Sequence, residues 1–152
     1  MVVGGNPYRP DYIESLKTLA DPRVIFTGAV YGDGYWTLQK GAGAFVSAFE
    51  IGGTHPALVE AMAAGNPVLY LNTIEGRETV GDAGLGFERQ ISDLAAKIRL
   101  IVSDPGRRDE LAGRARLRAQ RQYTWDAVTA QYESLFAELL GPRRAKAAAR
   151  DC

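Results

Sequence analysis

Residues 45–71 read FVSAFEIGGTHPALVEAMAAGNPVLYL, an order that few folds accommodate. Residues 45–49 form an apolar run of strand length, and Glu50 follows directly. Gly52-Gly53 then predicts a tight turn where backbone can come close to a ligand. Thr54 or His55 can cap a helix that carries Pro56 in its first turn. Residues 56–64 are mostly Ala, Leu, Met and Glu, good helix formers. Gly65-Asn66-Pro67 stops that helix, and residues 68–71 read as the next buried strand.

This order carries chemistry as well as shape. The first-turn amides of a helix point outward, and its dipole adds roughly half a positive charge, so the turn is a ready anion site. Open α/β sheets bind ligands beyond the carboxyl ends of their strands, which is where Glu50 and the glycines fall. Glu50 and Glu60 flank the turn. Carboxylates only accept hydrogen bonds, so two of them suit the vicinal hydroxyls of a sugar and a ribose. The pattern points to a sugar joined to a nucleotide through phosphate.

The run Glu-x-Gly-Gly-Thr-His-Pro-Ala-Leu-x-Glu-Ala-Met-Ala-x-Gly-Asn-Pro-Val, from Glu50 to Val68, resembles the donor signature of retaining GT-B glycosyltransferases of the GT4, or group 1, type. The usual pattern places seven residues between the two glutamates, whereas nine separate Glu50 from Glu60 here. A subgroup labelled rhamnosyl- or galactosyltransferases is similar in its Glu-x-Gly-Gly-Thr and Glu-Ala-Met. Residues 23–28 resemble the family's Val-x-Phe-x-Gly strand, and Tyr123-Thr124-Trp125 its Phe-Ser-Trp before the last helix. The likeness runs from Val2 to about Leu139.

Size and charge agree with one soluble domain. A chain of 152 residues can bury one sizeable core. Its formal net charge is zero, so no global field favours nucleic acid or a membrane surface. No apolar run approaches a membrane span, and no signal peptide is visible. Cys152 is the single cysteine, which excludes an internal disulfide. The expected setting is the cytoplasm, including the inner face of the membrane.

Elsewhere strands alternate with helices. Met1 to Gly5 reads as a strand entered midway, and Asn6-Pro7 as a turn. A helix is expected over 10–19, with Tyr12, Ile13, Leu16 and Leu19 on one face. Residues 24–26 read as a second strand, and 35–39 as a short helix. A helical turn is expected over 75–80, a short edge strand over 85–87, and helices over 91–101, 108–121 and 125–139. Alternation of this kind predicts an α/β fold, a Rossmann-like parallel sheet with helices on both faces. By resemblance it is the C-terminal half of a GT-B fold lacking its first strand and helix. Residues 1–140 form the donor-binding domain in this reading, and 141–152 a flexible basic tail.

The resemblance assigns roles to named residues. Glu50 would meet hydroxyls of the transferred sugar and is the candidate catalytic residue. Glu60 would take the ribose hydroxyls. Gly52, Gly53 and Thr54 would offer amides to phosphate or sugar oxygens, and Gly28 and Val30 match a loop near the base. Strand termination is the plainer account of Gly28 and Val30, and Glu78 is a minor candidate under the donor. The sole histidine, His55, is read as a capping or turn residue. Trp125, Tyr132 and Phe136 are read as helix packing. The arginines of 107–121 are interrupted by Asp109 and Glu110 and read as a solvated helix face. No Asp-x-Asp occurs, which argues against the metal-dependent glycosyltransferases. No metal and no cofactor are expected.

The expected function is therefore donor binding within an enzyme that moves a sugar from a nucleotide-sugar to an acceptor. By resemblance that is a hexosyltransferase of cell-surface, exopolysaccharide or glycoconjugate synthesis. The expected partners are the nucleotide-sugar and an N-terminal acceptor domain, with no nucleic acid. The edge left by the absent strand and helix would favour a homodimer. The alternatives are a non-catalytic α/β interaction module and a fragment of a nucleotide-sugar epimerase. The single histidine disfavours the epimerase.

Overall fold

A computed structural model of the chain describes residues 1–4 and 8–148, with side chains as far as residue 140. The Asn6-Pro7 turn, the side chains of the 141–148 stretch and residues 149–152, Cys152 included, lie outside the described residues. The chain divides into two compact units, Met1–Gly41 and Ala42–Cys152.

In the first unit, two extended segments run parallel on either side of helix α1 (Pro10–Leu19). They share one bridge, Val2 with Phe26. The Val2 amide donates to the Ile25 carbonyl at 2.7 Å, and the Thr27 amide to the Val2 carbonyl at 3.1 Å. The Gly4 amide also donates to the Gly28 carbonyl at 2.8 Å, so the full strands expected over 1–5 and 24–26 shrink to a single bridge with three backbone hydrogen bonds among the described residues. Of the apolar face read on α1, Ile13 and Leu16 are half-buried, while Tyr12 and Leu19 are exposed. Helix α2 spans Gly32–Gly41, three residues earlier in its start than the expected 35–39.

The second unit holds the sheet. Strands β1 (Phe45–Ser47), β2 (Val68–Leu71) and β3 (Gly84–Phe87) are all parallel, in the order β1-β2-β3. Phe45 pairs with Val68, and Val68 with Gly84. Helix α3 (Pro56–Ala64) crosses from β1 to β2, and α4 (Ile74–Val80) with a 3-10 turn (Gly81–Ala83) crosses from β2 to β3. Then come α5 (Ile91–Ser103), α6 (Pro105–Gln122) and α7 (Trp125–Ala148).

Local chemistry sets these boundaries. Gly65 stops α3 in the left-handed conformation, at φ +81, and the Asn66 amide returns to the Ala61 carbonyl. The Thr73 hydroxyl oxygen accepts from the Gly76 amide at 3.0 Å, and an Asp104 carboxylate oxygen from the Arg107 amide at 2.9 Å.

Alternate residues of β2 feed opposite faces, as a strand requires. Val68 and Tyr70 join Leu58, Met62, Val80, Ala115 and Ala119 in one buried cluster. Leu69 joins Phe87, Ile101 and Leu111 in the other. Helices therefore cover both faces, and the α/β architecture read from the sequence is the one observed.

One packing expectation is corrected. Trp125 is 87% exposed, Tyr132 57% and Phe136 54%. Tyr132 and Phe136 meet each other at 6.0 Å between ring centroids but join neither buried cluster. The first turns of α7 place only Ala127 and Val128 in partly buried positions. Its backbone also continues as helix past Leu139 to Ala148, through Gly141-Pro142.

Candidate functional site

The carboxyl ends of β1 and β2 open onto a narrow cleft. After Ser47 the chain leaves the sheet through Phe49 and Glu50 and reverses at Gly52, whose φ is +124. Only glycine occupies that region without strain. The chain then enters α3 at His55 and Pro56. The opposite wall is the start of α4, with Thr73, Glu75 and Gly76. Tyr70 and Leu58 form the floor, both buried. The free space is about 10 Å³, room for one water.

Two side-chain pairs involve residues that line the cleft. An Arg89 guanidinium nitrogen lies 3.0 Å from a Glu50 carboxylate oxygen, Oε1. Glu50 follows β1 and Arg89 follows β3, so the pair reaches across the end of β2. The other carboxylate oxygen of Glu50, Oε2, has no ion-pair partner among the described residues. The second pair is Phe49 and His55, whose rings stack with centroids 4.0 Å apart and planes 15° from parallel.

The stack explains Gly52. A Cβ there would sit 3.2 Å from the His55 ring. His55 does occupy the N-cap position of α3, as expected, but its side chain makes no capping bond. The Leu58 and Val59 amides both return to its backbone carbonyl, and its ring is spent on Phe49. Capping was thus the wrong role for the side chain. An aromatic six positions before a histidine, across a Gly-Gly turn, is the sequence signal that could have revealed the stack.

A wider cavity of about 480 Å³ adjoins the first and shares Gly53, Glu75 and Thr79 with it. Thr54, Glu78, Arg118 and Tyr123 are among its lining. Arg118 is anchored there. Its Nε donates to the Thr79 carbonyl at 2.8 Å, and a terminal nitrogen to the Glu78 carbonyl at 2.6 Å. Tyr123 also donates its hydroxyl to the Thr79 carbonyl, at 3.1 Å. These bonds satisfy carbonyls at the end of α4 that have no partner within the helix. The reading of 107–121 as a solvated face holds for Arg107 and Arg114, which pair with Glu110. It fails for Arg118.

The structure brings together Glu50, Gly52 and Gly53 on the narrow cleft, and Gly53 and Thr54 on the wider cavity. Glu60 lines neither. It sits half-buried on α3, about 200° around the helix from Leu58, away from the buried stripe of Leu58, Ala61 and Met62. Gly28, at φ +69, and Val30 belong to the first unit. Phe49 and His55 line the narrow cleft, and Arg89 pairs with Glu50, without having been site candidates. Among the described residues no three His, Cys, Asp or Glu side chains converge as a metal site would need. No described helix is long and apolar enough to cross a membrane.

Residues 1–104 match the family model described as glycosyl transferases group 1. An uncharacterized glycosyltransferase of Methanocaldococcus jannaschii is 27% identical over 143 residues, covering 90% of this chain and 36% of that protein. Among solved structures, sucrose-phosphate synthase from Thermosynechococcus elongatus superposes with a TM-score of 0.71 at 28% identity, over 92% of this chain and 38% of that one. Anabaena HepE, solved in complex with UDP, gives 0.75 at 20% identity, over 90% and 40%. The chain thus spans well under half the length of these relatives.

Proposed function

This chain belongs to the group 1 glycosyl transferases, of GT-B type, and from that premise we propose that it binds the nucleotide-sugar donor at the turn between β1 and α3. The observation that carries this reading is the placement of Glu50, Gly52 and Gly53 on one cleft at the carboxyl ends of parallel strands, directly before a helix N-terminus. The UDP held by HepE, a structure of the same fold, supports a nucleoside diphosphate as the ligand class.

In this proposal the residues divide the donor between them. The polarised start of α3 faces the diphosphate and stabilises the charge that grows on it as the sugar leaves. Glu50 uses one oxygen on Arg89 and offers the other to a sugar hydroxyl. The family pattern gives the ribose hydroxyls to Glu60, although Glu60 lines neither cavity here. During transfer the bond from the anomeric carbon to the diphosphate breaks, and a bond from that carbon to the acceptor oxygen forms on the same face. The acceptor hydroxyl proton passes to the departing phosphate oxygen. The acceptor is held by a domain outside this chain. A hexose or deoxyhexose destined for a cell-surface glycan is the substrate we assign, on the strength of the Glu-x-Gly-Gly-Thr motif.

Titration of the labelled chain with UDP, followed by NMR, tests the reading. Amide shifts at Gly52, Gly53 and Thr54 that saturate together are expected. Shifts confined to residues remote from Glu50 and Gly53, or no shift at all, would sink it.

A further inference from the structure

The narrow cleft holds about 10 Å³ of free space, whereas ligand pockets run to roughly 300–1,000 Å³, so the bulk of a nucleoside diphosphate fits only the adjoining cavity of about 480 Å³. For a phosphate to reach into the narrow cleft beside Glu50, part of its wall has to move. Ser47, Leu58, Tyr70 and Thr79 are all buried and tied into the sheet and its helices. The mobile candidates are on the outer side, where Phe49 is 50% exposed and Gly52 and Gly53 carry no side chain. His55 stands between the two groups. Its ring rests on Phe49 and lies 3.2 Å from where a Cβ on Gly52 would sit, and no described hydrogen bond or ion pair ties it elsewhere.

We infer that His55 is a ligand-binding residue of this site: its imidazole leaves Phe49 when a nucleoside diphosphate enters and donates a ring N–H to a phosphate oxygen. The inference rests on the donor-site reading above and adds a residue and a movement to it. Three features converge on it. The imidazole lines the cleft together with Glu50. It sits at the N-cap position of α3, where an anion would lie, yet it makes no capping bond. Pro56, next in the chain, has no N–H to offer an anion, so a side-chain donor at residue 55 fills a gap in the ring of backbone donors.

The chain has a single histidine, which makes the test direct. The ring protons of His55 report the stack, because a ring lying over Phe49 is shifted upfield. In the full chain titrated with UDP, those signals are expected to move downfield in step with the amides of Gly52 and Gly53. His55→Phe keeps the stack and removes the donor, and it is expected to weaken UDP binding about ten-fold, as loss of a hydrogen bond to a charged group does. His55→Asn restores an N–H donor without the stack and is expected to recover most of that loss. Ring signals that stay still while the Gly52 and Gly53 amides shift would overturn the inference and leave the donor site standing. So would wild-type affinity in His55→Phe. Absence of any UDP-dependent shift would overturn both.

Discussion

Glu50 and Arg89 are joined across the rim of the sheet, guanidinium nitrogen to carboxylate oxygen at 3.0 Å. Both side chains are substantially exposed, at 47% and 80%. Such a pair contributes about 0–1 kcal/mol to stability, and it leaves the other carboxylate oxygen without an ion-pair partner among the described residues.

Glu50→Gln therefore separates fold from function. Its melting temperature is expected to stay within about 4 °C of the wild type. Affinity for UDP, which carries no transferred sugar, is expected to be unchanged. Affinity for whichever UDP-sugar binds more tightly than UDP is expected to fall about ten-fold or more, the loss of a hydrogen bond to a charged acceptor. Calorimetry with UDP and with the sugar nucleotide checks both halves. Equal losses for the two ligands would remove Glu50 from the sugar.

Gly52→Ala places a side chain where φ is +124 and where a Cβ lies 3.2 Å from the His55 ring. The expected cost is about 1–3 kcal/mol of backbone strain, together with displacement of the imidazole. Denaturant melts measure the first. The His55 ring signals, moved toward their random-coil positions, report the second.

Arg118→Ala leaves the Glu78 carbonyl without its donor and the Thr79 carbonyl with Tyr123 alone. A loss of about 1–3 kcal/mol is expected. Arg118→Lys is expected to recover little, because an ammonium lacks the planar fork that serves two carbonyls together. Arg118 and Tyr123 share the Thr79 carbonyl, so Tyr123→Phe combined with Arg118→Ala is expected to be non-additive in urea melts.

Tyr70 supplies a pH signature. Burial pushes its phenol above the usual tyrosine range, a push that Arg77 only partly opposes. The folded chain keeps this proton to a higher pH than the unfolded chain does. Its contribution is therefore complete below about pH 10 and is lost as pH rises through the folded value. Tyr70→Phe is expected to match the wild type near neutrality and to melt higher than it above about pH 10. Parallel melting curves at every pH would contradict this.

Legibility in the sequence followed distance along the chain. Helix α3, its stop at Gly65 and strand β2 were readable because their signals lie within a few residues of the structure they set. So was the parallel sheet, from the alternation of strand and helix. The placement of Glu50 and the Gly-Gly turn beyond the end of β1 was readable for the same reason, since a strand end is followed directly by a helix start. Their neighbours were not. Arg89 meets Glu50 only because β1 and β3 flank β2 in parallel register.

The same division separates the roles of single residues. Position and composition assigned His55 to the start of a helix, and it is there. Its ring went to Phe49 because the turn at Gly52 folds the two segments face to face. Arg118 looked like one more surface arginine until α6 set it beneath the carbonyls that end α4. Trp125 read as a helix-packing residue and stands 87% exposed. From Phe45 onward the sequence by itself determined which segments become strands, turns and helices, since those are decided by backbone preferences and caps a few residues apart, whereas the strands expected over 1–5 and 24–26 amount to one bridge. Only the tertiary structure decided which side chains meet, because that depends on the order and register in which distant segments are brought side by side.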